Sequence, residues 1–317
     1  MRDVDPNLIE EHKEAVKSWW NSDHTKTKWH GQSYTPEYET HLHYWVRQDK
    51  TLKLLDELNL PKGSRILELG YGGGETAAKI LQRGYNYYGI DISQHLYENA
   101  LKNYPNYIKN QQAFFYKDSL EEKFKFKDNF FDLVIICGAI HYAGNISNNF
   151  SEVKRVLKEN GHYIIGQGNM YTLNDLINFR KLLKCITWYI TNENYIHSYS
   201  LSFKDIIFES KLKKYFLKYE NSKFFKSSFM NKKSNSWKYK IQKRIFSFSS
   251  LKKTIETNGF EVVKFYGGPF LYSSENKRSI VKKIFNNFFS YLLDKRSFTF
   301  LINVADNFIF LSKSNKK

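Results

Sequence analysis

The stretch with the clearest chemical purpose is Glu68-Leu69-Gly70-Tyr71-Gly72-Gly73-Gly74, which completes the apolar run Arg65–Leu69 and opens a helix-forming segment from Glu75 to Arg83. Glycines at 70, 72 and 74 let a backbone turn tightly, adopt positive φ and approach a ligand that a Cβ would fend off. A strand-to-helix turn of this kind lies outside the carboxyl end of a parallel strand, where open α/β sheets bind ligands. Two phosphate-binding patterns compete for it. The dinucleotide fingerprint, counted from Gly70, requires Gly or Ala at 75 and meets Glu75. That carboxylate would repel a pyrophosphate docked at the helix N-terminus. The Walker pattern needs Gly-Lys followed by Ser or Thr, and the turn lacks it. A ligand without a phosphate at this point fits better.

The turn needs a sheet to hold it, and the surrounding sequence predicts one. Tyr87–Asp91 reads as a second strand, Ala113–Tyr116 as a third, Phe131–Ile136 as a fourth and His162–Gly166 as a fifth. Between them lie helical stretches at Gln94–Asn103 and Asn149–Lys158, the latter stopped by Asn160-Gly161. Order returns with a helix over Ser249–Asn258, a strand over Phe260–Tyr266, an amphipathic segment over 279–294 and a last strand over Asn307–Leu311. Short apolar runs alternating with helices imply βαβ units and a parallel sheet covered on both faces. The expected fold is therefore α/β: a Rossmann-like, seven-stranded, mostly parallel sheet with helices on both faces, plus a helical insertion. The expected division is a helical cap over 1–58, a core over 59–170 and 248–317, and a basic helical lid over 171–247 with helices near 173–190 and 202–219.

The motifs, taken in order, resemble those of the class I S-adenosylmethionine-dependent methyltransferases, particularly the group that includes the ubiquinone and menaquinone biosynthesis enzymes. Glu68–Gly74 is similar to that family's acidic glycine motif, and Gly89-Ile90-Asp91-Ile92-Ser93 to its second motif, with Asp91 standing 23 positions after Glu68. Tyr116-Lys117-Asp118-Ser119 resembles the third, and Asp128–Val134 followed by Cys137-Gly138-Ala139-Ile140-His141-Tyr142 the fourth. Arg155–His162 resembles the turn before the fifth strand, with Glu159-Asn160 where the family usually has Pro-Gly. The resemblance spans about residues 60–168, with weaker stretches at 249–266 and 306–313. It implies S-adenosyl-L-methionine as cofactor. Glu68, Gly70, Gly72 and Gly74 would form its loop, Asp91 would accept from the ribose hydroxyls, Ile92 would pack on the adenine, and Asp118 with Ser119 would meet the adenine edge. Cys137 would lie beside the cofactor. From the N-terminal side, Trp19, Trp20, Tyr34 and Arg47 are candidates for contacting the methionine part or the acceptor, Arg47 by pairing with the carboxylate.

Methyl transfer from a sulfonium is an in-line displacement in which the protein aligns the nucleophile and removes its proton when it has one. His141, just past the fourth strand and with an ordinary pKa near 6.5, is the candidate base, and Tyr142 the alternative. The Asp/Asn-Pro-Pro-Tyr motif for exocyclic base amines is absent after that strand. Cys137 follows Ile136 and Cys185 follows Lys184, so neither sits in the Pro-Cys or Thr-Cys setting of a pyrimidine C5 methylase. These absences disfavour nucleic acid and point to a small-molecule acceptor methylated on oxygen, nitrogen or carbon.

The net charge of +17 is concentrated in one half. Residues 171–317 hold 28 basic and 10 acidic residues, and residues 1–170 hold 21 and 22. An anionic, sugar-linked or lipid-linked acceptor is one explanation, peripheral contact with a membrane surface another, and compositional drift a third, since Lys outnumbers Arg by 40 to 9. An RNA-directed enzyme and a non-catalytic membrane-surface scaffold of the same fold stay open as alternatives, as does the oligomeric state. Two cysteines in apolar contexts, a polar N-terminus and no long apolar run lead to the expectation of a cytoplasmic protein without a metal site.

Overall fold

The computed structural model describes residues 9–22, 42–177, 195–197, 242–244, 246–271, 280–294 and 299–316. Seven strands form the main sheet: β1 (Arg65–Leu69), β2 (Asn86–Asp91), β3 (Ala113–Lys117), β4 (Phe131–Cys137), β5 (Leu157–Gly168), β8 (Phe260–Gly268) and β9 (Asn307–Ser314). Their order is β3-β2-β1-β4-β5-β9-β8. The first five pair in parallel, and β9 runs antiparallel to both β5 and β8. A short antiparallel pair, β6 (Tyr195–His197) with β7 (Gln242–Arg244), stands apart from this sheet.

Strands buried on both faces read as near-continuous apolar runs, as β4 does from Leu133 to Ile136 after Asp132, whose carboxylate accepts from Arg65 N–H and Lys158 Nζ. Successive residues of β4 enter opposite cores: Val134 and Ile136 join one with Leu67 of β1, Leu133 and Ile135 the other with Ile66. The first core is closed by helices α6 (Ile146–Val156) and α8 (Phe248–Thr257) through Phe150, Val153, Leu251 and Ile255. The second is closed by α2 (Leu42–Glu57), α3 (Glu75–Gln82) and α4 (Gln94–Asn103) through Leu54, Leu55, Ala77, Ile80 and Leu96. Side chains start these helices where expected of Ser and Asn: Ser93 caps α4, Asn145 caps α6, and Ser247 with Ser250 forms a capping box on α8.

The expected helix over 149–158 differs at both ends. It starts at Ile146 and stops at Val156, and β5 begins at Leu157. Leu157 is fully buried opposite Phe131, and the register then jumps so that His162 faces Leu133. Burial of one leucine outweighs continuation of the helix, and Asn160 at φ 61 takes up the slack. Of the expected lid over 171–247, the structure describes α7 (Leu173–Leu176), β6, β7 and the bridge residue Phe246. The helices expected near 173–190 and 202–219 lie outside the described residues beyond α7. Three further helices complete the described chain: α1 (Ile9–Trp20), α5 (Pro105–Lys109) and α9 (Ile280–Asp294).

Candidate active site

Strand order reverses between β1 and β4, and a cavity of about 350 Å³ opens outside their carboxyl ends. Its floor is the glycine turn. Gly70 at φ 76 donates its N–H to Ile90 O at 2.7 Å, and a Cβ there would stand 2.5 Å from that of Ala139. Gly72 at φ 57 has no atom within 4 Å of its Cβ position, so its face is open to a ligand. Gly74 heads α3 at φ 85 and its carbonyl accepts Tyr104 Oη–H at 2.7 Å, away from the cavity lining.

Asp91, at the end of β2, ties the turn down. Its Oδ2 accepts the Gly72 N–H at 3.0 Å and its Oδ1 the Ser93 N–H at 2.9 Å. Burial pushes this carboxyl up to about 6, against the pull of those amides. Glu75 lines the same wall. Its Oε2 is buried without a hydrogen-bond partner, and burial raises its pKa too. Glu68 lies behind the turn rather than in the lining. Burial pushes it up to about 8, and its Oε2 accepts Tyr87 Oη–H at 2.7 Å. Ile92 and Ser119 line the cavity, whereas the Asp118 carboxylate accepts the Ser119 N–H at 2.9 Å and faces Lys125 at 3.4 Å, outside the lining.

The opposite wall comes from β4 and the segment after it. Cys137 lies against Thr51 Oγ1 at 3.1 Å, and burial raises its thiol to about 11, so it stays protonated. A 3-10 turn over Ile140–Tyr142 then brings His141 and Tyr142 into the lining, their rings 4.1 Å apart. His141 Nδ1 meets Gln167 Oε1 at 3.3 Å. With the proton on Nδ1, the acceptor lone pair is on Nε2.

Two helices close the cavity from the N-terminal side. Arg47 of α2 lies against glycines at the ends of β4 and β5: a Cβ on Gly138 would come within 2.5 Å of Nη2, and one on Gly166 within 3.1 Å of Cγ. Its Nη1 donates to Asn307 Oδ1 at 3.4 Å, and it forms no ion pair among the described residues. From α1, Lys13, Val16 and Trp20 enter the wall. This helix is latched by His12 Nε2–H to Tyr142 O at 2.7 Å, by Ser93 Oγ–H to Trp20 O at 3.1 Å, and by edge packing of Trp20 on Tyr142. Trp19 packs with Val16 and Tyr142 outside the lining, and Tyr34 lies outside the described residues.

Sequence reasoning on motifs missed Gln167, Asp306, Asn307, Tyr44 and Glu121, all of which line the cavity. The signal was topological. An antiparallel β9 starts at the end of the sheet where its parallel neighbours finish, so Asn307 pairs with Gly168 at the cavity mouth. Among the described residues there is no cluster of three potential metal ligands.

Residues 67–165 match the family model described as a methyltransferase domain. YqeM of Bacillus subtilis (strain 168), provisionally named a methyltransferase, is 30% identical over 108 residues, or 33% of this chain; the match spans 42% of YqeM, less than half its length. The uncharacterized protein MJ1252 of Methanocaldococcus jannaschii is 28% identical over 233 residues, covering 73% of this chain and 74% of its own. Among solved structures, the magnesium protoporphyrin IX methyltransferase of Synechocystis PCC 6803 with bound SAH aligns over 96% of this chain and 99% of its own. Its TM-score is 0.52 at 15% identity, a likeness of fold.

Proposed function

We propose, on the premise of the methyltransferase-domain match over residues 67–165, that this chain is a class I S-adenosylmethionine-dependent methyltransferase that transfers the methyl group of S-adenosylmethionine to a small molecule bound in the same cavity. The observation that carries the proposal is the Gly72–Asp91 lock at the mouth of β1 and β2, an open glycine face beside a buried carboxylate. The donor set suits a cation: Asp91 and Glu75 line the wall, both raised by burial, and the second holds an orphaned buried oxygen. A positive ligand relieves such groups, because it favours their ionised form.

When bound, S-adenosylmethionine supplies a methyl group already activated on a sulfonium. Asp91 would accept from the ribose hydroxyls, Ile92 would pack on the adenine, and Ser119 would meet the adenine edge. Arg47 would pair with the methionine carboxylate, and Glu75 would receive the cationic end. Cys137, a neutral thiol, fills space without competing as a nucleophile. His141 takes the acceptor's proton on Nε2 while Gln167 holds Nδ1. Helices α1 and α2 keep water from the reacting atoms. The acceptor is a small molecule methylated on oxygen, nitrogen or carbon, and a lipid-linked acceptor suits the basic second half of the chain.

Calorimetric titration with S-adenosylhomocysteine tests the premise. Binding in the micromolar range, on the order of −8 kcal/mol, is the expected result. Protein that melts cooperatively yet binds neither this ligand nor S-adenosylmethionine would remove the proposal's foundation.

A further inference from the structure

Helix α9 carries more apolar surface than the fold uses. The amphipathic segment expected over 279–294, with Ile280, Ile284, Phe285, Phe288, Phe289 and Leu292 as one apolar stripe and lysines opposite, divides in the structure. Phe285, Phe289, Leu292 and Leu293 pack on the core, and Asn286 Oδ1 fixes the helix rotation by accepting the N–H groups of Phe270 and Leu271 at 2.9 and 2.8 Å. That docking leaves Val281, Ile284, Phe288 and Tyr291 outward, 75%, 64%, 56% and 59% exposed. Spacings of three, four and three residues align them as one strip along the helix. Phe300, 63% exposed, stands on the 3-10 segment Thr299–Val304 that packs against α9. A helix that only closes a core is polar away from it, whereas here an apolar strip runs beside exposed Asn287.

The charge that the sequence carries within and beside this helix indicates what covers the strip. In sequence, residues 277–296 contain Lys277, Arg278, Lys282, Lys283, Lys295 and Arg296 against the single acid Asp294. A second copy would bring the same positive charge to the contact, and protein interfaces are depleted in lysine. Basic residues flanking an apolar helix face match a layer of anionic headgroups over acyl chains. We infer that α9 docks the protein peripherally on an anionic lipid surface. Among the described residues no helix is long and apolar enough to cross a membrane, so the contact is one of surface.

Helix α9 also lies close to the cavity, on a side away from the strip. A Cβ on Gly268 of β8 would lie 3.1 Å from Ser290 Oγ of α9 and 3.7 Å from Val46 Cγ1, next to Arg47, and Gly268 pairs with Asn307 on the cavity wall. One layer of residues thus separates α9 from the cavity. Docking does not depend on methyl transfer, but it supplies the route by which a lipid-linked acceptor would arrive.

The test is co-sedimentation of the full chain with vesicles of phosphatidylcholine alone and of phosphatidylcholine mixed with phosphatidylglycerol. The comparison variant is Ile284→Glu with Phe288→Glu, both at exposed positions, its fold checked by thermal melt and its cofactor site by S-adenosylhomocysteine titration. The expected result is binding to the anionic vesicles only. It should weaken in high salt and fall on the order of tenfold or more in the variant, whose cofactor affinity is unchanged. Absence of binding by the wild-type chain, or equal binding by the variant, would overturn the inference. So would a concentration-dependent dimer dissolved by the same substitutions without vesicle binding, which would assign the strip to a second copy. Cofactor binding that fails while vesicle binding persists would sink the proposed function and leave α9's role intact.

Discussion

Asp91→Asn probes the cofactor site directly, with a thermal melt beside the titration to account for the backbone amides it holds. The carboxylate holds two backbone amides, Gly72 N–H at 3.0 Å and Ser93 N–H at 2.9 Å, and keeps lone pairs for a ligand. Hydrogen bonds to a charged acceptor contribute about 1.5–3 kcal/mol each. Loss of the charge toward two ribose hydroxyls should therefore cost roughly 3 kcal/mol, on the order of a hundredfold in Kd. Asn also sets an NH₂ against either the Gly72 N–H or the Ser93 N–H, so it cannot restore both acceptors. The same carboxyl sets a pH dependence. Its folded pKa, about 6, stands above its ordinary 3.8. Ionising it in the free protein therefore costs stability as pH rises from about 4 to 6, while ligand binding needs the ionised form. Affinity for S-adenosylhomocysteine should rise about tenfold from pH 5 to 7.5 and then level off, as expected of one group with that pKa. Glu75 on the same wall adds slope that survives in the variant, so the difference between the two calorimetric profiles isolates Asp91. A variant that binds within threefold of wild type at pH 7.5, or a wild-type affinity flat across this range, would refute the assignment.

Glu68→Gln should match wild-type stability only below the ordinary carboxyl value of 4.5, where the group is protonated in the folded and unfolded chains alike; in the folded protein the carboxyl, raised to about 8, accepts Tyr87 Oη–H. A raised acid costs stability progressively from its unfolded pKa up to its folded one, so wild type should fall behind the variant as pH rises from 4.5 to about 8 and by a constant margin above that; parallel melting curves across this window would contradict the burial argument. Gly70→Ala should destabilise by roughly 2–4 kcal/mol through positive φ and the contact with Ala139, whereas Gly72→Ala should cost only about 1 kcal/mol yet weaken cofactor binding, a contrast read by melts and calorimetry side by side. His141→Asn should keep cofactor affinity and lower turnover by about 10²–10⁴-fold in an assay of S-adenosylhomocysteine release; undiminished turnover would return His141 to a packing role.

The sheet was legible because its signals are local. An apolar run such as Phe131–Ile136 needs no partner to be recognised, and the turn at Gly70–Gly74 announces positive φ by composition. What could not be read came from tertiary choices. Leu157 leaves its helix to fill the core, a decision made by Phe131 across the sheet. The strip on α9 divides because Asn286 meets the chain at Phe270, 16 residues back. The cavity wall gains Gln167 and Asn307 because β5 and β9 are antiparallel neighbours, a pairing no motif encodes. Asp118 illustrates the reverse problem: the sequence motif selects a dipeptide, and the structure turns Ser119 rather than Asp118 to the cavity.

Charge of opposite sign inside and outside the site gives the arrangement a physical logic. The cavity wall carries Glu75, Asp91, Glu121, Asp175 and Asp306 against Arg47 and Lys13, although the chain as a whole is strongly basic. Screening confines each population to its own neighbourhood, because at physiological salt a surface charge is felt over about 8 Å while buried charges act at lower dielectric. The buried acids therefore meet a cationic donor without weakening attraction of the exterior for an anionic surface.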